Sequence, residues 1–475
     1  MNATPLNWLR SLPPAPNRLQ SLDQTAMTPN HNNLDLIAVL LLSFVLLIIS
    51  ALQGIYAAYP LLLSLILFMF VLQKRGFAFI HLVKMAYAGA RQALPVIYVL
   101  LLIGILTAVW MAAGTVPALV YYGTRLISPH FFLLWAFVLT SLVSTLMGTS
   151  FGTVSTLGIA LMVMARASNL PENPVAGAII AGAFVGDRCS PLSSSAHLVA
   201  TVTHTNLYRN LRNMLISGFW PLVCSFIFYT ALSRSFPTAQ LSNSIIVALP
   251  EAFNLSPIVL LPAVIVLLLA ILQVEVKLAM LVSIGLSIAI AHHLQNYSLL
   301  KIFQFSLSGF QLDHPSELKA ILLGGGLLPM AKATFVVSIS TAFAGIFSAS
   351  NTLKFMDNWL TRIRTQRQLK QATALVSIFT NLFGCTQTIA ILLTQNIMAP
   401  HYQKHYKTGA ANSQLALTLE NTAVVIAPLI PWNIACLIPA AILTVGPGFI
   451  PYAAYLLLLP LSTCFTQKSV LQQMA

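Results

Sequence analysis

Charge is what this sequence has least of. Only 7% of its 475 residues are Asp, Glu, Lys or Arg, and just 10 are acidic, against 57% hydrophobic. Soluble domains carry roughly 25% charged residues, so a water-solvated globular enzyme is excluded. Cysteine is scarce too. Cys189, Cys224, Cys385, Cys436 and Cys464 show no CxxC and no His/Cys spacing suited to a metal; they read as small apolar residues in helices. There is no H-E-x-x-H and no phosphate-binding glycine loop, so neither a zinc hydrolase nor ATP-driven work is indicated. No cofactor is expected. No apolar core of signal-peptide length precedes Leu34, and residues 1–33 contain five prolines (Pro5, Pro13, Pro14, Pro16 and Pro29).

Long apolar runs are abundant instead, and the mean hydropathy is +0.84. At about 20 apolar residues per crossing, the length allows roughly ten to twelve spans and no large soluble domain. The runs are 34–53, 55–72, 94–113, 131–165, 175–202, 214–233, 257–272, 278–293, 321–349, 372–399, 415–443 and 449–464. The net charge of +14 fits cytoplasmic loops that collect Lys and Arg better than a nucleic-acid face, because the cations lie between apolar runs.

The run 131–165 is too long for one crossing: as a continuous helix it would reach ~52 Å, against a hydrocarbon core of ~30 Å. It is interrupted at Gly148-Thr149-Ser150-Phe151-Gly152-Thr153. A hairpin that enters and returns on one side explains both the length and the break. The run 372–399 has a similar break at Gly384-Cys385-Thr386-Gln387-Thr388. With a cytoplasmic N-terminus and two such hairpins, 17 of the 24 Lys and Arg fall inside and five outside, leaving Arg188 and Lys332 in spans.

The two halves resemble each other. SLVSTLMGTSFGTVSTLGIALM (Ser141–Met162) answers SIFTNLFGCTQTIAILLTQNIM (Ser377–Met398), with Gly148 and Gly384 236 residues apart. Each is followed by a second broken span carrying an acid, Asp187 in the first and Glu420 in the second, 233 residues apart. The expected fold is an all-α polytopic membrane protein of about ten transmembrane helices plus two re-entrant or broken hairpins, in two inverted-topology repeats. Residues 1–33 are expected as a disordered cytoplasmic tail, 34–233 as the first repeat, 234–255 as an extracytoplasmic linker, 256–464 as the second repeat and 465–475 as a cytoplasmic tail. Inverted repeats with broken helices are a transporter design, since unwound backbone at membrane depth must line a cavity.

Asp187 and Glu420 are the acids deepest in apolar sequence. A buried carboxylate is costly unless paired, coordinated or neutralised. A desolvated carboxyl holds a proton and a bound cation displaces it, so one acid can alternate between Na+ and H+. Asp187 is expected as the main exchanging group and Glu420 as its pseudo-symmetric partner, both facing one wet chamber. Ser190, Ser193, Ser194, Asn421, Asn433 and the hairpin tips (Thr149, Ser150, Thr153, Thr386 and Gln387) are expected to complete the site with neutral oxygens and amides. The competing roles are an Asp187–Arg188 ion pair, and serine hydroxyls bonded to helix carbonyls. Arg188 and Lys332 are candidate counter-charges, and Lys332 has the alternative of snorkelling to an interface. Ser150 also lies in a G-x-S-x-G string, which with His197 or His204 raises a remote alternative, an intramembrane serine hydrolase; that motif needs a strand–turn–helix setting.

At GTVPALVYYGTRLISPHFF (Gly114–Phe132), MGTSFGTVSTLGIALM (Met147–Met162), GDRCSPLS (Gly186–Ser193) and APLIPWN (Ala427–Asn433), the chain resembles the NhaC-type Na+/H+ antiporter family of the ion transporter superfamily, from about Gly54 to Pro460. The resemblance implies a secondary antiporter of the inner membrane, not an enzyme, with both termini cytoplasmic. Its expected partners are Na+, H+ and lipid, and no nucleic acid; a second copy of the chain as a homodimer is a further candidate. Li+, or a small organic acid or amino acid in a coupled carrier, is the alternative cargo. The chain departs from the family where SPLS commonly continues Asp-Thr-Thr-Asn and here reads Ser194-Ser195-Ala196-His197, and where Glu-Asp is common and here stands Glu420-Asn421. His197 would supply a group titrating near neutrality, with a buried, neutral, hydrogen-bonded ring as the blander expectation.

Overall fold

The computed structural model describes residues 34–126, 131–236, 243–272, 274–312, 324–350, 357–406 and 410–465. The tail expected at 1–33 lies outside them, as does the tail expected at 465–475 beyond its first residue. Almost every apolar run of the sequence becomes helix. In the first half these are α1 Leu34–Leu52, α2 Ala58–Lys74, α3 Phe79–Arg91, α4 Leu94–Ala112, α5 Thr115–Leu126, α6 Phe132–Met147, α7 Ser150–Ala167, α8 Glu172–Cys189, α9 Ser194–Val202 and α10 Leu207–Ser235. The second half holds α11 Asn243–Ala252, α12 Leu261–Ile271, α13 Val276–His293, α14 Leu299–Ser308, α15 Leu327–Ala349, α16 Asp357–Leu360, α17 Gln366–Gly384, α18 Gln387–His405, α19 Ala410–Asn421, α20 Ile434–Leu443 and α21 Ala454–Phe465.

Among the described residues, five helices are long and apolar enough to cross a membrane, or seven when the bent pairs α8–α9 and α19–α20 each count as one span. The bends are 43° and 49°. Shorter apolar helices, α2, α6 and α21 among them, accompany these. Large apolar side chains stand outward on many helices, such as Phe70, Trp135, Leu142, Phe219, Trp220 and Phe335, a surface that lipid tolerates and water does not. The stretch expected as a plain linker at 234–255 contains α11, consistent with its Ile-Ile-Val-Ala-Leu run.

The helix order of the first half recurs in the second. Two spans, a short amphipathic helix and a third span lead into a hairpin (α6–α7, then α17–α18), a bent pair and a closing helix. Both hairpin links are two residues long and turn the same way. Gly148 takes a left-handed φ of 68° and Cys385 one of 51°. Thr149 and Thr386 then cap the next helix, accepting from the N–H of Gly152 and of Ile389. The matching position of Gly148 is therefore Cys385, one residue beyond the Gly384 that sequence similarity suggests.

The bent pair α8–α9 sits deepest. Residues 174–184 are buried throughout, and small side chains let α8 lie directly on α6: a Cβ on Gly186 would meet the Ser144 carbonyl carbon at 2.1 Å. Close backbone contact through small residues is how helices associate where lipid removes the hydrophobic driving force. α7 passes through a π-turn at Val154–Gly158 that packs on α20. Its far end is tied by Arg166, which pairs with Glu172 at 2.8 Å and donates to the Leu443 carbonyl.

Candidate functional site

Asp187 lies in the last turn of α8, just before the break. The backbone N–H of Ser150, the first residue of α7, lies close to its carboxylate. The carboxylate receives Nε2 of Gln387, the first residue of α18, at 3.4 Å. Thus the tips of both hairpins reach one carboxylate. The first N–H groups of a helix lack an intrahelical partner and carry positive partial charge, so the start of α7 is suited to hold an anion. Gln387 Nε2 also donates to the Val424 carbonyl at 3.1 Å, which ties that tip to the second bent pair.

Arg188 follows Asp187 directly but turns away from it. Its guanidinium is fully buried and donates to Tyr455 Oη (3.1 Å), Ser217 Oγ (2.9 Å), the Met214 carbonyl (3.1 Å), Cys189 Sγ and Asn421 Oδ1. One side chain thereby clamps α8 to α10, α19 and α21. No Asp187–Arg188 ion pair forms among the described residues. Glu420 is 0% exposed, and neither of its carboxyl oxygens has a hydrogen-bond partner among the described residues. The charges acting on it are those of Arg188 and Asp187. Asp187 itself is 6% exposed, so in this conformation both acids are enclosed.

Glu420 is not the structural twin of Asp187. Ser144 on α6 donates to the Ala183 carbonyl, and Asn381 on α17 donates to the Ala423 carbonyl at 3.0 Å. Ser193 caps α9 as Asn433 caps α20. Both relations place the second bent pair 240 residues after the first, so Asp187 corresponds to Ala427 and Glu420 to Ile180. The 233-residue spacing of the acids thus differs from the 240-residue offset of these contacts and caps.

The serines hold the break together. Ser193 and Ser195 hydroxyls both donate to the Asp187 main-chain carbonyl, the latter at 2.9 Å, and Ser190 Oγ accepts from Leu192 N–H. This is the local carbonyl bonding weighed against ion coordination above. Thr153 Oγ1 donates to the Thr149 carbonyl, and Asn433 Nδ2 reaches Asn381 at 3.2 Å. Ser194 is exposed. His197 is exposed rather than buried, and its Nε2 lies 2.9 Å from the Pro191 carbonyl. Lys332 is exposed near the start of α15; its main-chain carbonyl accepts from Tyr56, and none of its recorded bonds reaches this cluster. Ser150 stands at a helix–turn–helix, not a strand–turn–helix, and no histidine bonds to it among the described residues. Sequence reasoning passed over Asn381, Tyr455 and Ser217. Asn381 was visible as the polar residue three before Gly384; the other two show no local signal.

With this geometry in hand, sequence comparison decides the family. The profile of the Na+/H+ antiporter family matches residues 32–204 and 185–464, together covering most of the chain. The chain belongs to the Na+/H+ antiporter family. The antiporter-family chain is 31% identical over 385 residues to the Na(+)/H(+) antiporter NhaC of Alkalihalophilus pseudofirmus, covering 79% of this chain and 82% of that one. It is 30% identical over 414 residues to the Na(+)/H(+) antiporter NhaC of Bacillus subtilis, covering 85% and 90%. A malate-2H(+)/Na(+)-lactate antiporter of Bacillus subtilis is 26% identical over 389 residues, covering 80% and 82%. The antiporter-family chain is accordingly a membrane-embedded transport protein, and its relatives are antiporters rather than enzymes.

Proposed function

We propose that this protein is a secondary active transporter that exchanges Na+ for H+ by alternating access across the bacterial inner membrane, with both termini cytoplasmic and two inverted repeats. Asp187 is the exchanging carboxylate. The observation that carries this is the approach of both hairpin tips to Asp187, Gln387 Nε2 by a hydrogen bond and the Ser150 N–H close beside it. A carboxylate held between two separate tips exchanges its partner when either tip withdraws. Proton and Na+ then compete for it, and each tip exposes it to one side. Glu420 is the second, enclosed acid of the site, coupled to Asp187 through charge and balanced by Arg188.

A coupled carrier of an organic acid or amino acid is the second reading. It draws on the malate–lactate relative and on a cavity of about 590 Å³ bordered by Ser217 and Asn421, two of the side chains that hold Arg188. Neither Asp187 nor Glu420 lines that cavity, and its rim is apolar and outward-facing, so ion exchange is preferred. Purified protein in liposomes carrying a pH gradient separates the two. Na+ added outside should move protons in the wild type and not in Asp187→Asn. Silence towards Na+ and Li+, with uptake of a carboxylic acid instead, would transfer the assignment to the second reading.

A further inference from the structure

The 590 Å³ cavity lies among α10, α17, α19 and α21, and its lining has an unusual chemistry for this chain. It holds a cation, Lys370, that is 6% exposed, and Gln414, which is 2% exposed and whose Nε2 has no hydrogen-bond partner among the described residues. No Asp or Glu lines it. Clefts of roughly 300–1,000 Å³ take small organic ligands, and a donor-rich, acid-free floor selects an anion.

The mouth says what carries that anion. Its rim is Leu215, Phe219 and Trp220, 62%, 56% and 70% exposed. The same face of α10 continues through Arg212 to Tyr208, both exposed, at the i, i+3, i+4 and i+7 spacing that puts side chains on one stripe. A stripe running from Tyr and Arg into Trp, Phe and Leu is the profile of a helix crossing from the membrane interface into the hydrocarbon. Arg367, exposed one turn before Lys370, adds a further cation on α17. A water-borne anion would have to pass a lipid-facing rim. A lipid enters from the side, with its chains along Trp220 and Leu215 and its phosphate against Lys370.

We infer that this cavity binds the headgroup of an anionic phospholipid, with Lys370 as counter-charge and Gln414 Nε2 as hydrogen-bond donor. Through Asn421 and Ser217 the bound headgroup adjoins the Arg188 clamp, so the lipid steadies the wall behind the transport site. The test uses the full-length protein in neutral detergent, offered phosphatidylglycerol, phosphatidylcholine or inorganic phosphate, with retained lipid counted by native mass spectrometry and the unfolding midpoint followed. Phosphatidylglycerol should be retained and raise the midpoint; the other two should not. Lys370→Gln should cut phosphatidylglycerol retention about five- to tenfold, while Lys84→Gln, an exposed cation on α3, should leave it unchanged. Should Lys370→Gln not fold, Gln414→Leu must lower phosphatidylglycerol retention without touching that of phosphatidylcholine. Equal retention of the two lipids, equal loss in Lys84→Gln, no effect of Gln414→Leu, or stabilisation by inorganic phosphate alone would each overturn the assignment.

Discussion

Gly148→Ala should damage the protein far more than Gly384→Ala, although the two glycines look equivalent in sequence. Gly148 has φ +68°, and a Cβ there would meet the Leu192 carbonyl carbon and Cβ at 2.6 Å. Holding alanine in a left-handed conformation costs about 1–2 kcal/mol. Forcing a methyl against backbone that cannot rotate away costs about 1–3 kcal/mol more. The expected loss is about 2–5 kcal/mol. It falls where the first hairpin tip leans on the break of α8–α9, so transport should fail as well. Gly384 has an ordinary helical φ, and the one tight contact of its added Cβ would be the Ile389 Cγ2 at 3.1 Å, a side chain able to shift, with the Ala390 N at an ordinary 3.6 Å. A gain in helix propensity of up to about 1 kcal/mol opposes that contact, so Gly384→Ala should stay within about 1 kcal/mol of wild type. Unfolding in detergent, followed by circular dichroism, with sodium-driven proton flux measured in parallel, reads both. Similar stability for the two variants would refute the cap register and the tip–break contact together.

Asp187→Asn should fold, run as the wild type on gel filtration, and lose sodium-driven proton movement; retained exchange would remove Asp187 from the chemistry. Gln387→Ala removes one of the two tip contacts and should lower exchange at least tenfold with little loss of stability, which thermal unfolding beside the flux assay will show. Arg188→Gln leaves a buried clamp empty and Glu420 without its counter-charge, and breaking a buried charged network by one partner costs about 3–5 kcal/mol. Arg188→Gln combined with Glu420→Gln should recover part of that loss, and an additive double mutant would deny the coupling. Ser193→Ala should destabilise by about 1 kcal/mol or more through the lost cap, while Ser194→Ala and His197→Ala, both exposed, should change neither stability nor the pH profile of exchange.

Most of the fold was legible because lipid asks for so little: length and apolarity. Sequence expects a span at 94–113 and the structure gives Leu94–Ala112. The two hairpin breaks were legible as glycine and hydroxyl runs inside overlong apolar stretches. The short helices α3, α5 and α14 were not, since 10 to 13 residues with mixed polarity give too few turns for a clear period. The acids were legible as isolated charges, but their relation was not. Residue spacing matched Asp187 to Glu420, whereas the contacts at Ala183 and Ala423 show a three-residue difference in offset between the hairpins and the bent pairs. Which way Arg188 points was equally hidden. Neighbours diverge on a helix, yet a broken helix offers no such guarantee, and its partners come from α10, α19 and α21.

If the protein exchanges Na+ for H+ as proposed, the enclosed charges account for a single small cation as cargo. Arg188 is always protonated and offsets one of the two carboxylates. When both acids are ionised, the enclosed trio retains one uncompensated negative charge, which low-dielectric surroundings penalise heavily. A proton or a Na+ cancels it; binding both together would leave an equally costly positive excess. On that proposal, competition between the two follows from the count of fixed charges, and does not require that they share every ligand. The amide at Asn421 matters to this count. It holds Arg188 through a neutral oxygen, so it adds no third negative charge and leaves the guanidinium's charge to act on Glu420 and, through it, on Asp187.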